Sequence, residues 1–145
     1  MYKVEDFLTA TQEQALIETI KVSEKNTSGE IRVHIEKSTE KSPMDRALEV
    51  FYMLEMDKTE LRNGILIYVA VESKKIAIIG DEGINNLVPK NFWDEELAML
   101  ISYFKASNFT KGLELTILKI GEKLKEFFPY QKDDSNELSD EISKG

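Results

Sequence analysis

Between two hydrophobic stretches the chain reads Gly80-Asp81-Glu82-Gly83. Glycines that follow a strand and precede a helix can cradle a phosphate through backbone N–H groups. Here two carboxylates occupy the same turn and repel a bare phosphate, and neither a full dinucleotide fingerprint nor a Gly-Lys-Ser/Thr sequence is present. Asp81 and Glu82 suit a hard divalent cation, which takes oxygen ligands. They equally suit capping of the next helix, where they complement its dipole. His34 is the single histidine, and with no cysteine and no serine elbow a nucleophilic triad has little to stand on. It is expected at a solvated strand position. Arg32, on the same strand face, is expected to pair with Glu36 or a neighbouring acid, with anion binding as the alternative. Phe92 and Trp93 read as core aromatics.

The elements that carry these residues follow from periodicity. A first helix is predicted over about 9–25, capped at Thr9 or Thr11 with Gln12 or Gln14 three residues on. Residues 30–36 alternate Ile31, Val33, Ile35 against Arg32, His34, Glu36, which predicts a half-exposed strand. Pro43 opens a second helix to about residue 56. From Gly64 the run Ile-Leu-Ile-Tyr-Val-Ala-Val is uncharged, as in a central strand covered on both faces. A short turn leads to a third strand over 75–80, so strands two and three form an antiparallel hairpin. A helix separates strands one and two, so these are parallel. A short helical piece is expected over 84–88, a helix from Asn91 or Asp94, and a last long helix over 109–128.

This order predicts an α/β fold, a three-layer-like α/β/α domain with a small mixed sheet built of a parallel β-α-β unit and an antiparallel hairpin, flanked by helices. Its topology brings the starts of strands one and two and the end of strand three to one edge. That edge collects Glu30, Arg62, Asn63, Asp81 and Glu82, polar groups from distant segments such as a site needs. Glu30, Asp81 and Glu82 are the ones that can ligate Ca²⁺ or Mg²⁺.

The chain has 145 residues, near the common size of one domain, with a formal net charge of −8. That charge argues against nucleic-acid binding, which rests on lysines and arginines displacing counterions. The first residues carry acids where a signal peptide needs a basic then apolar run. No stretch reaches the ~20 apolar residues of a membrane helix. The expectation is a cytoplasmic monomer without membrane insertion. Residues 1–129 form the domain, and the acid-rich 130–145 are expected to be a disordered tail.

Three stretches together resemble the TPM domain family: Ser28-Gly29-Glu30-Ile31-Arg32-Val33-His34-Ile35, Arg62-Asn63-Gly64-Ile65-Leu66-Ile67-Tyr68-Val69-Ala70, and Lys75-Ile76-Ala77-Ile78-Ile79-Gly80-Asp81-Glu82-Gly83-Ile84. Phe92-Trp93, Gly112-Leu113 and Ile120-Gly121-Glu122 before Phe128-Pro129 extend the resemblance across about residues 5–129. It implies a mixed sheet flanked by helices, and the chain looks like the family's short branch without signal sequence or membrane helix. The family's associations are acid phosphatase activity, calcium binding at an acidic patch, and assistance to membrane complexes. In bacteria the short branch implies a LemA-like membrane protein as partner. Membrane-anchored members commonly begin strand two with Asp-Asn-Gly, where this chain has Arg62-Asn63-Gly64. A cation in place of a carboxylate weakens a divalent site. The leading expectation is therefore a non-catalytic accessory module with a protein partner. A metal-assisted phosphatase and a divalent-cation-binding domain without catalysis are the alternatives.

Overall fold

The computed structural model describes residues 7–130 and 137–145. Helix α1 spans Ala10–Glu24, and its N-terminus is the expected capping box. Gln12 N donates to Thr9 Oγ1 at 3.1 Å and Thr9 N donates to Gln12 Oε1 at 2.9 Å, satisfying two otherwise unpaired donors. Strand β1 (Glu30–Glu36) follows, then α2 (Pro43–Met53), with Ser42 as cap and Pro43 in the first turn. A 3₁₀ turn at Met56–Lys58 leads into β2 (Gly64–Ala70) and β3 (Lys75–Gly80). Helices α3 (Glu82–Asn85), α4 (Asp94–Lys105) and α5 (Phe109–Phe127) complete the domain, and β4 (Ser143–Lys144) returns to the sheet.

The sheet order is β3-β2-β1-β4. Strands β1 and β2 are parallel, with Glu30 opposite Gly64 and Glu36 opposite Ala70, while β2 and β3 are antiparallel. The α/β architecture, the parallel unit and the hairpin are as expected. One face of the sheet, carrying Ile31, Val33, Ile35, Ile65, Ile67, Val69 and Ile78, packs on α1, α4 and α5. Leu66, Tyr68, Ala70, Ala77 and Ile79 on the other face pack on α2 and Met56. Trp93 belongs to the larger core, as expected.

Two expectations are corrected. Strand β1 is not half-exposed: His34 is 2% and Glu36 4% exposed. Alternation reports which side chains are polar, and a polar side is buried when its groups find partners. Nor are residues 137–145 a disordered end. β4 pairs in parallel with β1, placing Ser143 opposite His34 and Lys144 opposite Ile35, and Gly145 N donates to Ile35 O at 3.0 Å. Ile142 is buried in the larger core and Leu138 packs against the smaller one. The remainder of that expectation, residues 131–136, lies outside the described residues.

Helix α2 is apolar on both of its faces. Ala47, Val50 and Phe51 face the sheet, but Leu48 and Tyr52 point outward.

Candidate functional site

The end of β3 and the start of β2 meet where the sequence placed its polar edge. Asp81 caps α3 through Oδ1, which accepts from Glu82 N at 2.8 Å, as the capping reading requires. Gly83 follows because the chain passes close by. A Cβ there would lie 2.3 Å from Leu61 O and 2.5 Å from Arg62 O, and Gly83 N donates to Arg62 O at 2.9 Å. The glycine thus serves a backbone crossing and not a phosphate cradle. Arg62 itself has a left-handed backbone (φ 51°), uncommon for a non-glycine residue.

From that position its guanidinium reaches both Asp81 oxygens. Nε donates to Oδ2 at 2.8 Å and Nη2 to Oδ1 at 3.0 Å, while Nη1 reaches Glu82 Oε1 at 3.1 Å. The hydrogen bonds to Asp81 raise the Arg62 pKa above its ordinary value. A planar fork on a carboxylate is the strongest form of such a pair. This donor set does not fit a divalent ion, because the guanidinium holds both Asp81 oxygens that would ligate it. Among the described residues no three His, Cys, Asp or Glu side chains gather closely enough to hold a metal ion.

The other two edge residues turn elsewhere. Asn63 is 1% exposed and donates through Nδ2 to Ser28 O at 3.1 Å, tying the start of β2 to the turn before β1. Glu30 accepts from Leu138 N at 2.6 Å through Oε1 and so holds the C-terminal segment. Burial pushes its carboxyl up to about 7, with Glu137 and Asp140 adding to the rise. Beside it, burial and Asp140 push Glu24 up to about 10, although Ile31 N donates to its Oε2 at 2.9 Å. No motif or spacing in the sequence marks Glu24 or Asp140. Their proximity arises only when the C-terminal segment folds back.

A second polar group lies on the α2 side of the sheet. Arg46 donates to Glu36 twice, Nε to Oε2 at 2.9 Å and Nη2 to Oε1 at 3.0 Å. Tyr68 Oη donates to Glu36 Oε2, and His34 Nε2 lies 3.0 Å from Oε1. His34 Nδ1 lies 2.9 Å from Ser143 Oγ on β4. Burial alone would raise the Glu36 carboxyl, but Arg46, Tyr68 and His34 outweigh it and hold it down at about 2. Burial lowers the His34 pKa, with Glu36 opposing. The Ser-His-Glu order resembles a nucleophilic triad, yet the carboxylate here is saturated by Arg46 and Tyr68, and the group works as a clamp between β1, β2, α2 and β4. Arg46, not Arg32, is the partner of Glu36. Arg32 has no ion pair among the described residues, and its Nε is buried without a hydrogen bond.

The family profile of the TPM domain matches residues 1–123. The NMR structure of the BA42 protein from the psychrophilic bacterium Bizionia argentinensis is 52% identical, covers 100% of both chains and superposes with a TM-score of 0.91. The solution NMR structure of the N-terminal domain of a protein from P. gingivalis covers 84% of this chain and 79% of that one at a TM-score of 0.69. At 15% identity that likeness concerns the fold alone. No curated protein matches the chain. Among the described residues no helix is long and apolar enough to cross a membrane. On the profile match and the 52% identical structure, the chain belongs to the TPM domain family.

Proposed function

We propose that this protein is a non-catalytic accessory module that binds a protein partner through the outer face of α2. The observation that carries this reading is the exposed apolar stripe on that helix. Met44, Leu48, Tyr52 and Met53 are 56%, 50%, 55% and 62% exposed, and the first three recur at four-residue spacing on one face. Contiguous exposed apolar side chains mark interaction sites on soluble domains, and methionine and tyrosine adapt readily to a partner surface. Support also comes from the committed acids: Asp81 is held by Arg62 and Glu36 by Arg46, which leaves neither free for acid–base work. A LemA-like membrane protein is the partner class that the family resemblance implies.

The test compares the wild type with Leu48→Glu/Tyr52→Glu in pull-downs from the native host's lysate, alongside hydrolysis of p-nitrophenyl phosphate with Mg²⁺ or Ca²⁺. A partner captured by the wild type and lost in the double variant, with no turnover, is the expected result. Metal-dependent hydrolysis that disappears in Asp81→Asn would establish the phosphatase reading instead. Capture unchanged by the double variant would remove α2 as the docking face.

A further inference from the structure

The polar edge at Arg62 lies at the amino ends of the parallel strands. In open α/β sheets ligands bind outside the opposite, carboxyl ends, and there the molecule has a cavity of about 590 Å³. Val71, the residue after β2, and Ile76 on β3 form one wall, while Ile101 and Phe104 of α4 and Phe109 of α5 form the other. All five are only half-buried, because each turns one side to this space. The Phe104 and Phe109 rings meet edge to face at 4.9 Å, giving that wall a fixed aromatic shape.

The rim is cationic. Lys74, Lys75 and Lys105 line the mouth, and no acidic side chain does. In a chain of formal net charge −8 this is a local inversion of sign. None of the three has a carboxylate within 4.0 Å among the described residues, whereas Lys41, Lys123 and Lys144 each do. Lys75 is tethered by hydrogen bonds from Nζ to Thr39 O at 3.1 Å and Lys41 O at 2.8 Å, so its charge is held in place. Two turns at the rim carry non-glycine residues in left-handed conformation, Lys74 (φ 55°) and Ser107 (φ 58°). Lys74 closes the β2–β3 hairpin and Ser107 follows the C-terminus of α4, so hairpin and helix-end geometry fix the backbone on two sides of the mouth.

An apolar pocket of this size, with a few cationic groups at its mouth, matches ligand sites of ordinary volume. We infer that this cavity binds a small amphipathic monoanion, an alkyl or aryl body of roughly eight to twelve carbons ended by a carboxylate. The body fills the space between Ile76, Ile101 and the two phenylalanines, and the carboxylate sits between Lys74 and Lys105. This inference does not depend on the α2 docking face, which lies outside the cavity's lining except for Pro43.

The test uses decanoate below its micellar concentration, titrated into the full chain and followed by amide NMR, with decanol as the uncharged control. Saturable shifts confined to residues around 71–76 and 101–109 are expected, with decanol weaker. Lys74→Glu/Lys105→Glu should weaken decanoate at least about tenfold through reversal of two nearby charges, and Lys74→Gln/Lys105→Gln by less. Both lysines are exposed, so the dispersed spectrum of the fold should persist. Absence of saturation, shifts that map elsewhere, or an affinity unchanged in both double variants would overturn the inference.

Discussion

The Arg62 guanidinium grips the Asp81 carboxylate at two points, 2.8 and 3.0 Å, across a sequence separation of nineteen residues. The positive charge therefore lies inside the fold's polar edge as a covalent part of the chain. A guanidinium there does for Asp81 what a metal ion would do elsewhere: it offsets a carboxylate that is 5% exposed.

Replacing that cation by a carboxylate should open the edge to a divalent ion. Arg62→Asp leaves two acids facing each other beside Glu82, an oxygen-rich set suited to calcium. The variant alone should melt lower than wild type through like-charge repulsion. Millimolar Ca²⁺ should then raise its melting temperature, since a ligand of the native state stabilises it. Scanning calorimetry with and without Ca²⁺ checks this, with wild type expected to respond less.

The clamp at Glu36 predicts a larger effect. Arg46→Ala leaves a buried carboxylate without its bidentate partner, which should cost about 3 kcal/mol in urea unfolding. Glu36→Gln in the same chain removes the uncompensated charge and should recover part of that loss. If Arg46→Ala were neutral, the Glu36 carboxylate would have to be hydrated and not buried.

Ile142 is the side chain of the C-terminal segment that is buried in the larger core. Burying an isoleucine contributes about 2 kcal/mol, and Ile142→Asp should lose that and detach β4. Amide exchange at Gly145, whose N–H donates to Ile35 O, should then accelerate to the rate of a free chain. Unchanged protection at Gly145 would contradict the role given to Ile142.

Opposed carboxyl shifts set the pH dependence. Glu30 and Glu24 are raised from 4.5 to about 7 and about 10 when folded, so the native state holds their protons more tightly than the unfolded chain. Their contribution is full below about 4.5 and is lost as pH rises through those folded values. Glu36, lowered to about 2, contributes above 4.5 and loses its contribution as pH falls toward 2. Stability should therefore peak in mildly acidic solution and decline toward neutrality. Glu30→Gln should flatten the decline between pH 4.5 and about 7, measured by urea midpoints across that range.

Much of the fold was legible locally. The Thr9–Gln12 capping box, the Pro43 helix start, and the uncharged β2 with its hairpin to β3 are short-range features whose physics acts within a few residues. The edge that gathers Arg62, Asp81 and Glu82 followed from the crossover rule and the hairpin alone. Burial of His34 and Glu36 was not legible, because the same alternation describes a solvated face and one sealed by Arg46 and the C-terminal segment.

By itself the sequence determined the type and order of the elements from α1 to α5, the family, and the arrival of five polar residues near one edge of the sheet, but not β4. Only the tertiary structure decided which partner each of them took: Arg62 on Asp81, Asn63 on Ser28, Glu30 on Leu138. The reason is geometric. Periodicity constrains which face a side chain occupies, whereas a hydrogen bond or ion pair requires ångström-scale placement that arises only when segments distant in the chain pack together.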